Sequence, residues 1–574
     1  MKDKKAVKID FSRERIASQA DKLYNEGKFV AALRLAHREL VEFGGDGDVY
    51  TRLADIYEGM GLHASALNWW FRFLDEADEA DLPDIYEGIA VNFLNLGNET
   101  QSAFYYNKLI DVDDTLPEEA KWDIADAFSV DKKSRFRFVY PPQLADYSNE
   151  LSAGSKALKS GDCKRAIAEL DKIVKGSKDY PAAKEMQAVG YLLAGDTKNA
   201  ELTCNELLET HPDDVRAQAT LAAVYLEQGR EGESLALAKR LAAEKQTETD
   251  DIYKVATVCC ENGLHEEAYR KFCQLDEKIP YDGRMLYFKG VSAYKCGKIE
   301  EAERALDMLC SIYPDAEVAK YYLRAIRNYR AGNAPEPELI YFYHLPQEER
   351  EARCRALLQI GKASKDEAQL FGLFAMRDRY FEWCFDEMDG GDHDLQYLAL
   401  VTAVHVRADE FIRDTLLDHE VADVLKVETL RLLMERNEDD EFGLVLCNIY
   451  RRVPLMRIAV GRKKRKRFIE AYAKIASKFS VVSDNYAIKL KDAAEKLYSA
   501  LEEYGGLDLI DNTDDCACAI FLLSGLKDLG GNADSIAAAF GANPQKVNVL
   551  VTMSLSKQHG LDKNGQQKTE ETTE

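Results

Sequence analysis

Few side chains in this chain have the spacing that catalysis or metal binding requires. His265, in LHEEAYR, has no second histidine to complete an HExxH zinc site, and no GxxxxGK or GxSxG motif occurs. Cys516 and Cys518, in DDCACAI, would supply only half of the ligands that structural zinc usually needs. The acidic loop from Asp386 to Asp394 lacks the alternating spacing of a calcium loop. We therefore expect no catalytic residue, no metal site and no cofactor, and the sequence predicts a protein that is not an enzyme.

A basic run stands out because the chain as a whole is acidic. The formal net charge is −25, yet nine of the 17 residues from Arg451 to Arg467 are arginine or lysine and none is acidic. Apolar residues at helical spacing follow, so the cations crowd a helix N-terminus, where they oppose the helix dipole by about 0.3–1 kcal/mol each. An external anion would explain them, whether nucleic-acid phosphate, an acidic protein surface or a lipid; the alternative is a solvated face balanced by the acids of 437–441. The candidate anion-binding residues are Arg462, Lys463, Lys464, Arg465, Lys466 and Arg467.

The segment from Asn532 to Val551 is similar to a helix-turn-helix. Gly541 stands at the turn, and Asn543 and Pro544 cap and open a second helix. In a DNA-binding protein, Gln545, Lys546 and Asn548 would face the major groove. The alternative is a buried hairpin, because Val549 and Val551 make the second helix apolar nearly all round.

The elements that would position such groups are set by an internal repeat. Glycines stand 34 residues apart at Gly27 and Gly61 and again from Gly161 to Gly297, and Gly97 follows with a two-residue slip. Small residues lie seven places before and five places after each glycine, where two helices must cross closely. Seven places before, they are Ala20, Ala54, Ala90, Gly154, Ala188, Ala222, Ala256 and Gly290; five places after, they are Ala32, Ala66, Ser102, Ala166, Ala200, Ser234, Ala268 and Ala302.

This pattern resembles the tetratricopeptide (TPR) family, whose period is about 34 residues. The resemblance covers eight units from about Ile16 to Pro314, three in one array and five in a second. It implies an all-α solenoid of helix-turn-helix repeats with a concave groove, lined by the first helices, that holds a protein or peptide partner. The asparagines with which one TPR class clamps chaperone termini are absent, which disfavours a chaperone co-factor of that kind.

Four residues of the first array are candidates for contact with a partner. Asp21 and Asp55 lie one repeat apart on the same face and would suit a basic partner segment, unless they are merely solvated. The resemblance implies that Trp70 and Tyr106 are buried between units, so their neighbours Trp69 and Tyr105 are the candidates for exposure and contact with a partner, unless they simply pack in the core.

The remaining chain is predicted to be mostly helical, with a short β-hairpin between Phe442 and Ile458. The expected organisation is a first TPR array (1–113), an irregular connection (114–150), a second array with a capping helix (151–334), a helical C-terminal domain (335–556) and a disordered tail (557–574). The charged N-terminus MKDKKAVKID is unlike a signal peptide, and no run of apolar residues is long enough to cross a membrane. These features predict a cytoplasmic protein.

Two function classes fit this organisation. The first is a non-catalytic scaffold or adaptor that holds a protein or peptide segment in the groove. The second is a nucleic-acid-associated regulator that uses the basic run and the helix-turn-helix-like hairpin. Anchoring to an anionic membrane through the basic run is a third interpretation, but no amphipathic aromatic face supports it.

Overall fold

The computed structural model describes residues 12–127, 147–377, 379–386, 391–526 and 532–558. The chain divides into two compact units. The first comprises Met1–Ile124, Gln347–Phe385 and Gly390–Glu574, so far as they are described, and the second comprises Ala125–Pro346 and Asp386–Asp389. Most of the predicted irregular connection, and nearly all of the predicted disordered tail, lie outside the described residues.

Paired antiparallel helices build the start of the first unit, as the repeat predicts. Each pair is joined by a short turn whose glycine ends the first helix. Gly61, for example, has a φ of 76°, a left-handed conformation that favours glycine. The helices are α1 (Arg13–Asn25), α2 (Phe29–Phe43), α3 (Gly47–Gly59), α4 (His63–Glu76), α5 (Leu82–Asn95) and α6 (Glu99–Val112), with α7 (Glu118–Ala127) after them.

The second unit contains the second array. It consists of helix pairs with the same turn, and its last helix, α18, resembles the first helix of a further unit that lacks a second helix. The helices are α8 (Ser148–Lys159), α9 (Cys163–Leu170), α10 (Tyr180–Leu193), α11 (Thr197–Thr210), α12 (Val215–Glu227), α13 (Glu231–Ala243), α14 (Thr249–Glu261), α15 (His265–Lys278), α16 (Gly283–Lys295), α17 (Ile299–Ile312) and α18 (Glu317–Arg330).

The small residues of the repeat occupy the helix crossings, and this prediction is confirmed. Ala54 and Ala66 are fully buried, as are Ala256 and Ala268 in the second array. At Gly290, an added Cβ would lie 3.1 Å from a side-chain carbon of Leu306. Larger side chains would therefore push the two helices of a pair apart.

The C-terminal part of the first unit is helical except for one hairpin. Strands β1 (Asp440–Leu446) and β2 (Ile449–Leu455) pair antiparallel, and Cys447 and Asn448 between them both have positive φ, as a two-residue type I′ turn requires. The predicted hairpin is therefore confirmed. The helices are α19 (Gln347–Ile360), α20 (Lys365–Arg377), α21 (Tyr380–Trp383), α22 (His393–Val406), α23 (Asp409–Leu417), α24 (Asp423–Glu435), α25 (Arg465–Phe479), α26 (Asp484–Tyr504), α27 (Thr513–Leu523), α28 (Ala533–Ala539) and α29 (Pro544–Gln558), with a 3₁₀ turn at Gly506–Leu509. Every helix in the described ranges is too short or too polar to span a lipid bilayer.

The second helices of the first array pack against this C-terminal part within the same unit. Asn68 on α4 donates to the carboxylate of Asp418 over 3.0 Å, and its carbonyl oxygen accepts from the backbone N–H of His419 over 3.1 Å. Tyr105 on α6 reaches the hairpin turn, where its hydroxyl donates to the carbonyl of Asn448 over 3.1 Å and accepts from the N–H of Tyr450 over 3.0 Å. The array is thus supported on its second-helix side by residues more than 300 positions away.

Tyr105→Phe is expected to lower the free energy of unfolding by about 1–3 kcal/mol, because the N–H of Tyr450 and the carbonyl of Asn448 would lose their shared partner. Urea unfolding followed by circular dichroism measures this change. Tyr86→Phe is the matched control, since Tyr86 packs 6.1 Å from Tyr105 and is only partly buried. An equal loss in both variants would contradict a role for the Tyr105 hydroxyl.

Candidate functional site

An acidic concavity on the first helices of the first array is the candidate functional site. It is a cavity of about 730 Å³ to which α1, α3 and α5 contribute side chains, together with the end of α4 and the turn that follows it. Tyr24, Ile56 and Phe73 provide its apolar surface, and Arg52 is its cationic residue. We call this cavity the acidic groove. Its carboxylates are Asp21, Asp46, Asp48, Asp55, Glu76, Asp78, Asp81 and Asp84.

One edge of the acidic groove is held by a network of ion pairs. The buried Glu39 accepts from Arg13 over 3.0 Å and from Arg52 over 2.9 Å. Arg52 also contacts Asp21 over 2.7 Å, and Arg13 pairs with Asp46, which caps α3 by accepting from the N–H of Val49. Glu39 therefore fixes the two arginines, and the arginines fix two of the groove's carboxylates.

Asp55 lies in the same groove without an ion pair in the described part of the chain. Partial burial raises the pKa of the Asp55 carboxyl to about 6, although the residue keeps solvent-accessible surface. Repulsion from Glu58 and Asp21 raises this pKa further, whereas Arg52 lowers it. Such a carboxylate is poorly stabilised by its own protein, so a cation from outside would be bound favourably. Among the described residues, no three His, Cys, Asp or Glu side chains converge closely enough to hold a metal ion.

Asp55→Asn is expected to raise the free energy of unfolding at pH 7.5 and to leave it nearly unchanged at pH 4. A folded-state pKa above the unfolded value means that the native chain holds the proton more tightly, so this stabilisation is lost as pH rises through about 6. Solvent screening limits the difference to about 0.5–1 kcal/mol. Urea unfolding at the two pH values measures it, with Asp111→Asn on the outer helix α6 as control; a pH-independent effect of Asp55→Asn would contradict the expectation.

The predicted residues Asp21 and Asp55 both line the acidic groove, but Trp69 and Tyr105 do not. The expectation that Trp69 and Tyr105 are exposed is wrong: Trp69 is 8% exposed and Tyr105 is 1% exposed. Trp69 is enclosed by the rings of Tyr50 and His37 and by the guanidinium of Arg72, 4.4 Å above it. Tyr105 is buried because the hairpin turn covers it, and Tyr106 is the more exposed of that pair.

The basic run lies where the sequence predicts, at the beginning of α25. Arg462, Lys463, Lys464, Arg465, Lys466 and Arg467 are all exposed, and the first turn of the helix contains no acid. Lys464 lies 3.6 Å from Asp508, and Arg467 donates to the carbonyl of Ile510 over 3.3 Å. Two of these cations therefore already contact other parts of the chain. Anion binding by the basic run stays a prediction.

The helix-turn-helix-like segment forms α28 and α29. Gly541 has positive φ, and the side chain of Asn543 accepts from the N–H groups of Gln545 and Lys546 over 3.0 and 3.3 Å, so the predicted turn and cap are confirmed. Val547 is buried and Asn548 is exposed. Gln545 and Lys546 are exposed as well, but Lys546 lies 3.7 Å from Asp511. DNA reading by these three residues stays a prediction.

Sequence reasoning missed most of the acidic groove. The sequence does contain one signal that could have found more of it: a second repeating position, 13 residues before the turn glycine, is occupied by the acidic residues Glu14, Asp48 and Asp84. Asp78 and Asp81 lie in the turn before α5, outside the repeat's regular positions. Only their location on the same concave side identifies them as part of the site.

Comparisons with known proteins agree with this repeat register. Residues 191–257 match a tetratricopeptide repeat model. The TPR repeat-containing protein YvcD of Bacillus subtilis (strain 168) is 24% identical over 299 residues, which are 51% of this chain and 60% of that protein. The chain thus spans about 60% of the length of this curated relative.

Solved structures were matched at low identity. A human IFIT1 dimer with PPP-AAAA is 16% identical, with 74% of this chain and 91% of that chain covered and a TM-score of 0.26. Yeast Tom70 is 12% identical, with 96% and 98% covered and a TM-score of 0.20. The repeat register, the match to the family model and the similarity to a TPR protein agree: the chain contains tetratricopeptide repeats.

Proposed function

We propose that this chain is a non-catalytic, cytoplasmic scaffold or adaptor that holds a lysine- and arginine-rich segment of a partner protein in the acidic groove. The observation that carries the proposal is the placement of eight carboxylates around one concave cavity by consecutive repeats. A concave surface of one charge concentrates its electric potential and attracts a partner of opposite charge. The proposed partner is therefore basic and extended.

The apolar residues of the groove suit the same partner. Tyr24 and Phe73 line the groove beside the acids, and an aromatic ring can pack against the methylene stem of a lysine or the face of a guanidinium. A segment that alternates or mixes basic and apolar residues would use both kinds of surface. An ordinary solvated acidic face would offer only charge.

Fluorescence anisotropy with the full chain tests the proposal. A labelled peptide rich in lysine and arginine is expected to bind, and a matched peptide with glutamine in place of the basic residues is expected not to bind. Binding of the basic peptide should weaken as salt rises from 50 to 300 mM, because the groove is open to solvent. Equal affinity for both peptides would contradict the proposal.

The exposed basic run favours a second candidate function, nucleic-acid binding. Six neighbouring exposed cations would release counterions from a nucleic acid, so the logarithm of affinity should fall linearly and steeply with the logarithm of salt. Anisotropy with a labelled DNA duplex and a labelled single-stranded RNA measures this slope. Alanine at Arg462, Lys463 and Lys466 should reduce the slope if the run is the site, and an unchanged slope would exclude it.

A further inference from the structure

The second unit contains a segment of the chain that lies on its own repeat array without forming a helix or strand. Residues 334–346 follow the last helix, α18, and run along first helices of the second array. Prolines at 335, 337 and 346 favour extended backbone at and just before these positions, and the chain bends at residues 341–344. First helices are those that line the concave surface of such a solenoid.

Tyrosine hydroxyls of the array bind the backbone of this segment. The hydroxyl of Tyr287 on α16 donates to the carbonyls of Ile340 and Phe342, each over 3.1 Å. The hydroxyl of Tyr322 on α18 donates to the carbonyl of His344 over 2.9 Å. Hydrogen bonds to carbonyls do not depend on the side chain of the bound residue, so these contacts would accept another extended sequence.

Alternate side chains of the segment fill the surface beneath it. Leu339, Tyr343 and Leu345 are buried, whereas Phe342 between them is 56% exposed. The ring of Tyr343 packs edge-on against Tyr287, with centroids 4.8 Å apart. This alternation is how a groove binds an extended peptide, with every second side chain facing inward.

Polar contacts hold the remaining side chains of the segment in place. Tyr341 places its hydroxyl 3.0 Å from Nδ1 of His265, and the ammonium of Lys295 lies 5.6 Å from the Tyr341 ring. Tyr343 donates to a carboxylate oxygen of Asp386 over 3.0 Å, and Asp386 also accepts from the N–H of Val318 at the start of α18. No β-ladder joins the segment to the array in the described part of the chain, so the segment could leave without breaking regular secondary structure.

We infer that residues 336–346 are a built-in ligand of the second array, and that the surface formed by Tyr287 and Tyr322 binds an extended partner segment that displaces it. The partner segment carries bulky apolar or aromatic side chains at alternate positions. This site differs in chemistry from the acidic groove, and it does not depend on the function proposed for that groove.

Binding of a labelled peptide with the sequence of residues 336–346 to the full chain tests this inference. In the unaltered chain the peptide competes with a tethered copy, whose effective concentration is of the order of millimolar, so little binding is expected. Leu339→Ala with Tyr343→Ala weakens the tethered copy, and the peptide is then expected to bind at least about tenfold more tightly. Phe342→Ala is the matched control, since its exposed ring contributes little to the contact.

Two additional variants and one negative probe make the result specific. We call the chain with Leu339→Ala and Tyr343→Ala the loosened chain. Adding Tyr322→Phe to it removes the hydroxyl that binds the His344 carbonyl, so peptide binding should weaken about 3- to 10-fold. The basic peptide used for the acidic groove should not compete. Failure of the labelled peptide to bind the folded, loosened chain would overturn the inference.

Hydrogen exchange on the unaltered chain tests whether the segment can leave the array, and it can be measured even if the loosened chain does not fold. The amide of His344, which donates to the carbonyl of Phe342 over 2.9 Å, is expected to exchange at least tenfold faster than those in the middle of α16 and α18, because the segment opens by itself. If it exchanges only together with these helices, the segment is an integral part of the fold and the inference is wrong.

Discussion

A chain carrying Asp21→Lys and Asp55→Lys is expected to bind a lysine- and arginine-rich peptide at least about a hundredfold more weakly than the unaltered chain at low salt. Each substitution reverses a charge inside the acidic groove, and two unit charges a few ångströms apart near a protein surface interact by a few kcal/mol. A loss of about 1.4 kcal/mol at each position is enough for a hundredfold change. Arg52 would lose its partner Asp21 but would still be held by Glu39.

The control must separate the groove from the overall charge of −25. Glu42→Lys with Asp111→Lys makes the same change in net charge on the second helices α2 and α6, where both residues are exposed. This variant is expected to bind the basic peptide within about threefold of the unaltered chain, as measured by anisotropy. If both double variants lose affinity equally, the peptide is attracted by the bulk charge, and the acidic groove is not its site.

Raising salt should narrow the difference between the two double variants without removing it. Charges at the open mouth of the groove are screened over about 8–10 Å at physiological ionic strength. Contacts of the peptide with Tyr24 and Phe73 are much less sensitive to salt. Circular dichroism of both variants should match that of the unaltered chain, since each of the four substituted residues is exposed.

The repeat could be predicted from the sequence because its determinants are local. Each small residue, such as Ala54 or Ala66, meets a helix only a few positions away, and the turn glycine sits between the two helices. Spacing along the chain is therefore enough to place these residues in the core. The hairpin was predictable for the same reason, since its two strands are separated by a two-residue turn.

The burial of Trp69 and Tyr105 could not be predicted in this way. Tyr105 is covered by a turn whose hydrogen-bonded residues are 343 and 345 positions away in the chain. The repeat pattern says which residues face a neighbouring helix of the array, but it says nothing about a separate segment that packs on the outer side. Trp69 is buried by residues closer in the chain, because His37 from the preceding repeat and Tyr50 from its own repeat enclose it.

The acidic groove could be predicted from the sequence only in part. Asp21 and Asp55 share one repeat position and were identified, whereas Asp78 and Asp81 come from a turn whose direction only the fold determines. The contacts of Tyr343 with Tyr287 could not be predicted either, because they follow from a chain reversal after α18 that no periodicity encodes.

The buried Lys426 beneath the hairpin gives a second large effect, on the pH dependence of stability. Lys426 is 1% exposed on α24, and its ammonium donates to the carbonyl of Val445 in β1 over 2.7 Å. Burial lowers the pKa of this ammonium to about 8, and the nearby carboxylates of Asp418 and Asp423 offset only part of that effect. The charged form is therefore costly in the folded chain.

The unaltered chain is expected to gain about 2–3 kcal/mol of stability relative to Lys426→Met between pH 7.5 and pH 10. In this range the unfolded lysine, with its ordinary pKa near 10.5, binds more protons than the folded one, so the free energy of unfolding rises with pH. The contribution is complete above the unfolded pKa and is lost as pH falls through about 8. Methionine keeps most of the volume and removes the titration.

Urea unfolding of both chains across this range measures the difference, and the comparison cancels the ionisation of buried tyrosines, which is common to both chains. At pH 7.5 the two chains should be similar in stability, because removing the costly charge offsets the loss of the hydrogen bond to Val445. If the free energies of unfolding of the two chains change in parallel with pH, Lys426 has the same pKa in the folded and unfolded states. If they diverge, the lysine that contacts the hairpin beneath Tyr105 is close to losing its charge near neutral pH.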